Sequence, residues 1–184
     1  MKIKNMNQEI EIKLKINKEE LDRIERELSL KNEIWHFERT YGFFTPNGES
    51  VKNGIFPRIK STGNNEGWLD IKVKDIGLKT DYFERKEYRI YALDIKNTII
   101  MLGILGYSKM RIFEKFRKKI AYQKVEICLD RLPFGLFVEI EGEKGNIEKM
   151  INKLGLKNNE RIAKAYLKIA DEMGVNDTVF GGGE

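Results

Sequence analysis

Glu9, Glu11 and Lys13 stand at alternate positions in Gln8-Glu9-Ile10-Glu11-Ile12-Lys13-Leu14, with aliphatic residues between them. Side chains of a strand alternate between its faces, so the three charges share one face and Ile10, Ile12, Leu14 and Ile16 take the other. Two carboxylates at this spacing repel, and a surface strand gains nothing from the crowding. A divalent cation reverses that, because hard ions such as Mg2+ prefer carboxylate oxygens.

The same alternation returns further along. Arg58 and Lys60 share a face, as do Asp70, Lys72 and Lys74, then Arg85, Glu87 and Arg89, then Lys115 and Arg117, and finally Glu139 and Glu141. The opposite faces carry Ile59, then Leu69, Ile71 and Val73, then Val138 and Ile140. An antiparallel sheet with one wet face shows a similar pattern. Here, however, carboxylate pairs fall in the first and last strands and cationic pairs in the middle ones. Like charges two residues apart are tolerable only where a counter-charge lies between them.

A closed or nearly closed antiparallel barrel meets these demands, because interior and exterior residues alternate along every strand. Its apolar faces would take helices on the outside, and Arg, Lys and Glu would line the lumen. An unpaired ion in such a place costs several kcal/mol, so the lumen needs ion pairing, water or an oppositely charged guest. A polyphosphate with its metal ions fits: Arg forks and Lys ammonium groups bind phosphate oxygens, and carboxylates hold Mg2+ or Mn2+.

The elements that must position these residues read as follows. A strand over residues 8–16 leads to a helix capped by Asn17, with Glu20 three positions on and Leu21, Ile24 and Leu28 at helical spacing. Strands are expected at 34–45, 55–61, 68–74 and 83–91, with turns at Pro46-Asn47-Gly48 and Gly63-Asn64-Asn65. Asp94 caps a helix that ends near Gly106. Strands at 110–118, 121–129 and 136–143 follow, then helices at 146–154 and about 160–173. The order predicts an α+β protein dominated by antiparallel strands. It occupies one domain over residues 1–175, with a disordered tail at 176–184.

With 184 residues, 41% hydrophobic and 34% charged, the chain can bury a core and is heavily charged. No apolar run reaches the ~18–20 residues that span a membrane, and no signal-peptide pattern opens the sequence. Cys128 is the sole cysteine, which excludes an internal disulfide or a cysteine-based zinc site and points to the cytoplasm. His36, between Trp35 and Phe37, reads as a packed or half-exposed residue without a ligand role. The net charge of +5 suggests an anionic partner without identifying it.

Taken together, these segments resemble the CYTH superfamily of triphosphate tunnel metalloenzymes, which includes class IV adenylate cyclases, thiamine triphosphatases and inorganic triphosphatases. Glu9-Ile10-Glu11-Ile12-Lys13 looks like its ExExK signature. Phe56-Pro57-Arg58-Ile59-Lys60 is similar to its Arg-x-Arg/Lys strand, and Gly67-Trp68-Leu69-Asp70-Ile71-Lys72 to its strand ending in a phosphate-binding Lys. Arg85-Lys86-Glu87-Tyr88, Lys115-Phe116-Arg117, Leu129-Asp130, Gly135 to Glu141 and Ala163-Lys164-Ala165-Tyr166 follow in the family's order.

The resemblance implies Glu9, Glu11, Glu139 and Glu141 as metal ligands for Mg2+ or Mn2+. It implies Lys13, Arg58, Lys60, Lys72, Lys74, Arg85, Lys115 and Arg117 as the triphosphate cradle. Lys13, Arg58, Arg85, Glu87 and Arg117 would take part in catalysis, supported by Asp130 and Lys164. Three departures bear on specificity: Arg89 replaces an acid of the family's Arg-x-Glu-x-Glu element, Ala165 replaces a Ser, and residues 38–46 lack the family's Asp and Tyr-Phe pair. The implied function is hydrolysis of inorganic triphosphate, thiamine triphosphate or a nucleotide. The alternatives are cyclisation of ATP to cyclic AMP and pyrophosphate, and non-catalytic binding of polyphosphate or an RNA 5′-triphosphate end. The partner is a small-molecule triphosphate, with no membrane and no other nucleic acid. A homodimer follows by analogy.

Overall fold

The computed structural model describes residues 7–63, 65–74 and 81–181. Its elements are β1 (Asn7–Ile16), α1 (Lys18–Glu27), β2 (His36–Phe44), α2 (Glu49–Lys52), β3 (Ile55–Gly63), β4 (Glu66–Val73), β5 (Phe83–Ala92) and α3 (Ile95–Ile104). They continue as β6 (Lys109–Tyr122), β7 (Val125–Leu132), β8 (Gly135–Gly142), α4 (Lys144–Lys153), β9 (Arg161–Ile162) and α5 (Tyr166–Glu172). Hydrogen bonding runs in the order β5-β4-β3-β2-β6-β7-β8-β1, and β5 also pairs with β1. The eight long strands therefore close into an antiparallel ring, as the alternation predicts; α1, α3 and α4 lie on its apolar faces, whereas Tyr166 at the start of α5 meets the charged face at Asp130.

The chain divides into two compact units. One holds residues 7–9, 38–63, 65–74 and 84–114. In it β2, β3, β4 and β5 pair in sequence, with Arg58 opposite Asp70 and Asp70 opposite Arg89. The two-residue period puts Ile59 on the other face, where it is buried with Phe43 from β2 and with Ile95 and Leu102 from α3. Asp94 caps α3 by accepting from the Asn97 backbone N–H at 3.0 Å, which satisfies one of the free donors of a helix start.

The other unit holds residues 10–37, 81–83 and 115–181. Its core is larger. Ile12 and Leu14 of β1, Ile127 and Leu129 of β7, and Val138 and Ile140 of β8 are buried under Leu21 and Ile24 of α1 and Ile147 and Ile151 of α4. The predicted capping box starts α1: Asn17 Oδ1 accepts from the Glu20 N–H at 2.9 Å, and Glu20 Oε2 accepts from the Asn17 N–H at 2.8 Å. Lys118 pins α1 to β6 by donating to Glu25 Oε1 and to the Leu30 carbonyl, each at 2.8 Å.

Four expectations need correction. The turn expected between residues 118 and 121 lies instead at Gln123-Lys124, because Lys119 pairs with Cys128 and Ile120 with Ile127. The helix expected over 160–173 begins only at Tyr166. Arg161 and Ile162 are instead a short strand opposite Leu14 and Lys13 of β1, since edge backbone groups of β1 need hydrogen-bonding partners that a helix there would withhold. The turn after β2 also carries the short α2, fastened by the Ser50 N–H donating to Thr45 Oγ1 at 3.0 Å. Within the segment expected as a tail, Thr178 is buried and the Phe180 ring lies 5.0 Å from that of Phe116; residues 182–184 lie outside the described residues.

Among the described residues no helix is long and apolar enough to cross a membrane.

Candidate functional site

The charged face of the first unit is built on β3, β4 and β5, with Glu9 from the start of β1. Asp70 is fully buried. It accepts from Arg58 Nε at 3.0 Å, and from Arg89 Nε at 2.5 Å and Nη2 at 3.0 Å. Burial alone would raise the Asp70 carboxyl; hydrogen bonds from Arg89 and the charge of Arg58 outweigh it and hold the group below the usual carboxylate range. Arg89 also reaches Glu87 at 2.6 Å.

Lys72 bridges Glu9 at 2.9 Å and Glu87 at 2.7 Å. Arg85 donates to Glu9 as well. Burial opposes the charge on Glu9, but Arg85 and Lys72 prevail and hold its carboxyl far below the usual range. Lys60 pairs with Glu38 at 2.5 Å. Lys74 lies just past β4 and is exposed. The face is thus a lattice of alternating charges, with Arg58, Lys60, Lys72, Arg85 and Arg89 each fixed by a carboxylate on a neighbouring strand.

The second unit repeats the device with deeper burial. Lys13 is 2% exposed. It contacts Glu11, lies 3.4 Å from Glu139, and sits between the Phe83 and Tyr166 rings, 5.0 and 5.3 Å from their centroids. Asp130, fully buried, accepts from Arg117 Nε at 2.6 Å, from Lys115 at 3.2 Å and from the Tyr166 hydroxyl at 2.9 Å. Arg117 also bonds Glu139. Burial disfavours the Arg117 charge, yet Asp130 and Glu139 raise its pKa well above the ordinary value, so the guanidinium is permanently charged.

Glu11, Glu141 and Glu126 occupy one cross-strand row over β1, β8 and β7. Like charges directly opposite one another destabilise a sheet. The Glu11 and Glu141 carboxylates present oxygens within 4.8 Å of each other, and Glu9 stands one step along the same face of β1. The oxygen donors and their crowding suit a hard divalent cation.

The structure therefore gathers Arg58, Lys72, Arg85, Glu87 and Glu9 in one unit, and Glu11, Lys13, Lys115, Arg117, Asp130, Glu139 and Glu141 in the other. Lys164 does not join either set: its side chain is 52% exposed and pairs with Glu172 at 2.8 Å. Three residues without an expected role adjoin these sets: Asp70 and Tyr166 bond their members, and Glu126 extends the carboxylate row. Asp70 and Glu126 carry the right strand parity to be found, but parity does not reveal burial or the row of carboxylates. Tyr166 closes a recognised motif, and only the fold brings its hydroxyl to Asp130.

The family model for the CYTH domain matches residues 7–166. Among solved structures, a protein from Pyrococcus horikoshii OT3 is 25% identical, with 90% of this chain and 99% of that one covered and a TM-score of 0.65. A candidate adenylate cyclase from Bacillus halodurans is 15% identical over 89% of this chain and 98% of its own, with a TM-score of 0.66. A candidate adenylyl cyclase from Hippeastrum, described with a dominant triphosphatase activity, is 15% identical over 91% and 96%, with a TM-score of 0.60. No curated protein matches the chain.

Proposed function

The chain belongs to the CYTH domain family, and from that premise we propose that it hydrolyses a triphosphate in a metal-dependent reaction. The observation that carries this reading is the charged strand face itself, where half-buried Arg58, Lys115 and Arg117 and buried Lys72 are each held by carboxylates of other strands. Phosphoryl transfer asks mainly for positioning and charge neutralisation, and such a face is organised before substrate arrives.

Arg58, Lys60, Lys72, Lys74, Arg85, Lys13, Lys115 and Arg117 are the phosphate-binding groups of this proposal. Asp70 keeps Arg58 aimed, and Asp130 does the same for Arg117. Glu87, held against Lys72, orients a water. Glu9, Glu11, Glu139 and Glu141 form the metal-binding set. The bound Mg2+ or Mn2+ supplies charge neutralisation at phosphate oxygens and an acidified water. Cys128 is no nucleophile here: burial pushes its thiol up to about 12, so it is protonated at neutral pH.

Hydrolysis is favoured over cyclisation because water is always at hand, whereas cyclisation requires a ribose hydroxyl held in line with the α-phosphate. Arg89, the departure that would favour a metal-free phosphate receptor, is engaged by Asp70 and Glu87 and leaves the Glu11–Glu141 row intact.

The test is incubation with Mg2+ or Mn2+ and inorganic triphosphate, thiamine triphosphate or ATP, with the products resolved. Orthophosphate release is expected, and chelation should stop it. Cyclic AMP with pyrophosphate would replace hydrolysis by cyclisation, and tight binding without turnover would leave a receptor. The double variant Glu9→Gln, Glu11→Gln should lose more than the ~10–100-fold that a supporting residue contributes to a metal site.

A further inference from the structure

Next to the phosphate-binding lattice of the first unit lies an aromatic pair that the reading above does not use. Lys60, Trp68 and Tyr91 form one cross-strand row over β3, β4 and β5. The adjoining row is Arg58, Asp70 and Arg89, two residues along each strand and on the same face. Trp68 and Tyr91 are 37% and 43% exposed. Their ring centroids are 4.9 Å apart at an interplanar angle of 67°.

Polar neighbours hold both rings. The Tyr91 hydroxyl donates to Glu66 Oε2 at 2.6 Å, and the Arg89 guanidinium carbon lies 5.8 Å from the Trp68 centroid. The pair is thus fixed in orientation while keeping ring surface open to water. Gly67 brings this end of β4 close to β3: a side chain there would lie 2.3 Å from the Lys60 carbonyl. The row is locked in register at the place where the rings emerge.

Two large rings half open to water, beside Arg58, Lys60, Asp70 and Arg89 on one strand face, do not serve the core. The buried apolar residues of this unit lie on the opposite face. Rows two residues apart are ~7 Å from each other, a gap that a pentose-sized spacer bridges between a flat ring and its phosphates. We propose that Trp68 and Tyr91 form the subsite for the planar aromatic group of an organic triphosphate, stacked on Trp68 while Lys60, Arg58 and Arg89 meet the phosphates nearest to it. The proposal rests on the triphosphate reading and extends it: this protein distinguishes an organic triphosphate carrying an aromatic heterocycle from inorganic triphosphate.

The experiment compares wild type, Trp68→Ala, Trp68→Phe and Tyr91→Ala with inorganic triphosphate, ATP and thiamine triphosphate. Trp68→Ala should raise KM for the preferred organic substrate on the order of tenfold, the scale of base–aromatic stacking. Trp68→Phe should restore most of it, and KM for inorganic triphosphate should stay unchanged in all variants. The organic substrate that shows the loss identifies the ring, purine or thiamine.

Equal loss with inorganic triphosphate, or no loss with either organic substrate, overturns the proposal. Should Trp68→Ala fail to fold, fluorescence replaces it. The chain has two tryptophans, so Trp35→Phe leaves Trp68 as the reporter. Its emission should be quenched by the organic triphosphate and not by inorganic triphosphate; identical responses overturn the subsite. Wild type that binds inorganic triphosphate but gains nothing from an aromatic group loses the subsite alone. Wild type that binds no triphosphate loses the underlying reading as well.

Discussion

The two compact units use the same device, an apolar face under helices and a charged face opposite, but at different depths. In the second unit α1 and α4 bury a continuous core of β1, β7 and β8 residues, and the charged acceptor Asp130 serves Arg117, itself largely buried. In the first unit the buried cluster centres on Phe43, Ile59, Ile95 and Leu102. There α3 leaves Ile100, Met101 and Ile104 exposed, and Asp70 serves Arg89, whose side chain is 45% exposed, together with Arg58 at 20%. An identical ion pair has different consequences in the two places. A charge stripped of water depends on its partner, whereas one that keeps water does not.

That contrast can be broken most directly at the two buried aspartates. Asp130→Asn removes a fully buried carboxylate shared by Arg117 and Lys115, leaving Arg117 with Glu139, and should cost about 3 kcal/mol, the lower end for a buried pair. Asp70→Asn leaves Arg89 with solvent and Glu87 but takes from Arg58, 20% exposed, the carboxylate that holds it, and should cost about 2 kcal/mol, between the ranges of exposed and buried pairs. Urea unfolding of both variants measures this, and equal losses would erase the distinction.

The apolar faces give the next largest effect. Ile140→Ala, beneath α4, should lose about 2–5 kcal/mol by opening a cavity. Ile104→Ser on the open side of α3 should change stability by no more than about 0.5 kcal/mol. A comparable loss at Ile104 would mean that this side of α3 is covered in solution.

At neutral pH the titrations change nothing, and their effect appears only toward the acid and alkaline limbs. Glu9 and Asp70 titrate below the usual range when folded. Their stabilisation is present above the unfolded carboxylate values near ~4 and fades as pH falls through the lower native ones. Cys128 of the second unit moves the other way, up to about 12. Between the unfolded thiol value of ~8.5 and that figure the native state keeps a proton the unfolded chain has lost, so stability falls as pH rises. Asp70→Asn should flatten the acid limb of a denaturation series and Cys128→Ser the alkaline limb. An acid limb unchanged by Asp70→Asn would contradict the pairing described for Asp70.

Much of the site is legible because strand parity is a local property. Glu9, Glu11 and Lys13 share a face whatever β1 pairs with, and so do Arg58 with Lys60 and Lys115 with Arg117. The α1 capping box is equally local, since its two hydrogen bonds join residues three apart. The misread segments depend on which strand they pair with. Arg161 and Ile162 become a strand through Leu14 and Lys13. The β6–β7 turn moves to Gln123 because the Ile120–Ile127 pairing carries both strands past the expected break. Lys164 belongs to a familiar motif yet faces Glu172 at the surface, because α5 begins two residues after it.

The sequence by itself determined which residues alternate, hence which face of each strand is charged, where α1 and α3 begin, and the family to which the motifs point. Those properties follow from backbone periodicity and capping chemistry within a few residues. Only the tertiary structure decided which carboxylate answers which cation. It set Asp70 between Arg58 and Arg89, Asp130 among Arg117, Lys115 and Tyr166, and Glu11 opposite Glu141. Register and burial are properties of strand pairing, and pairing joins residues whose separation in sequence carries no signal of their contact.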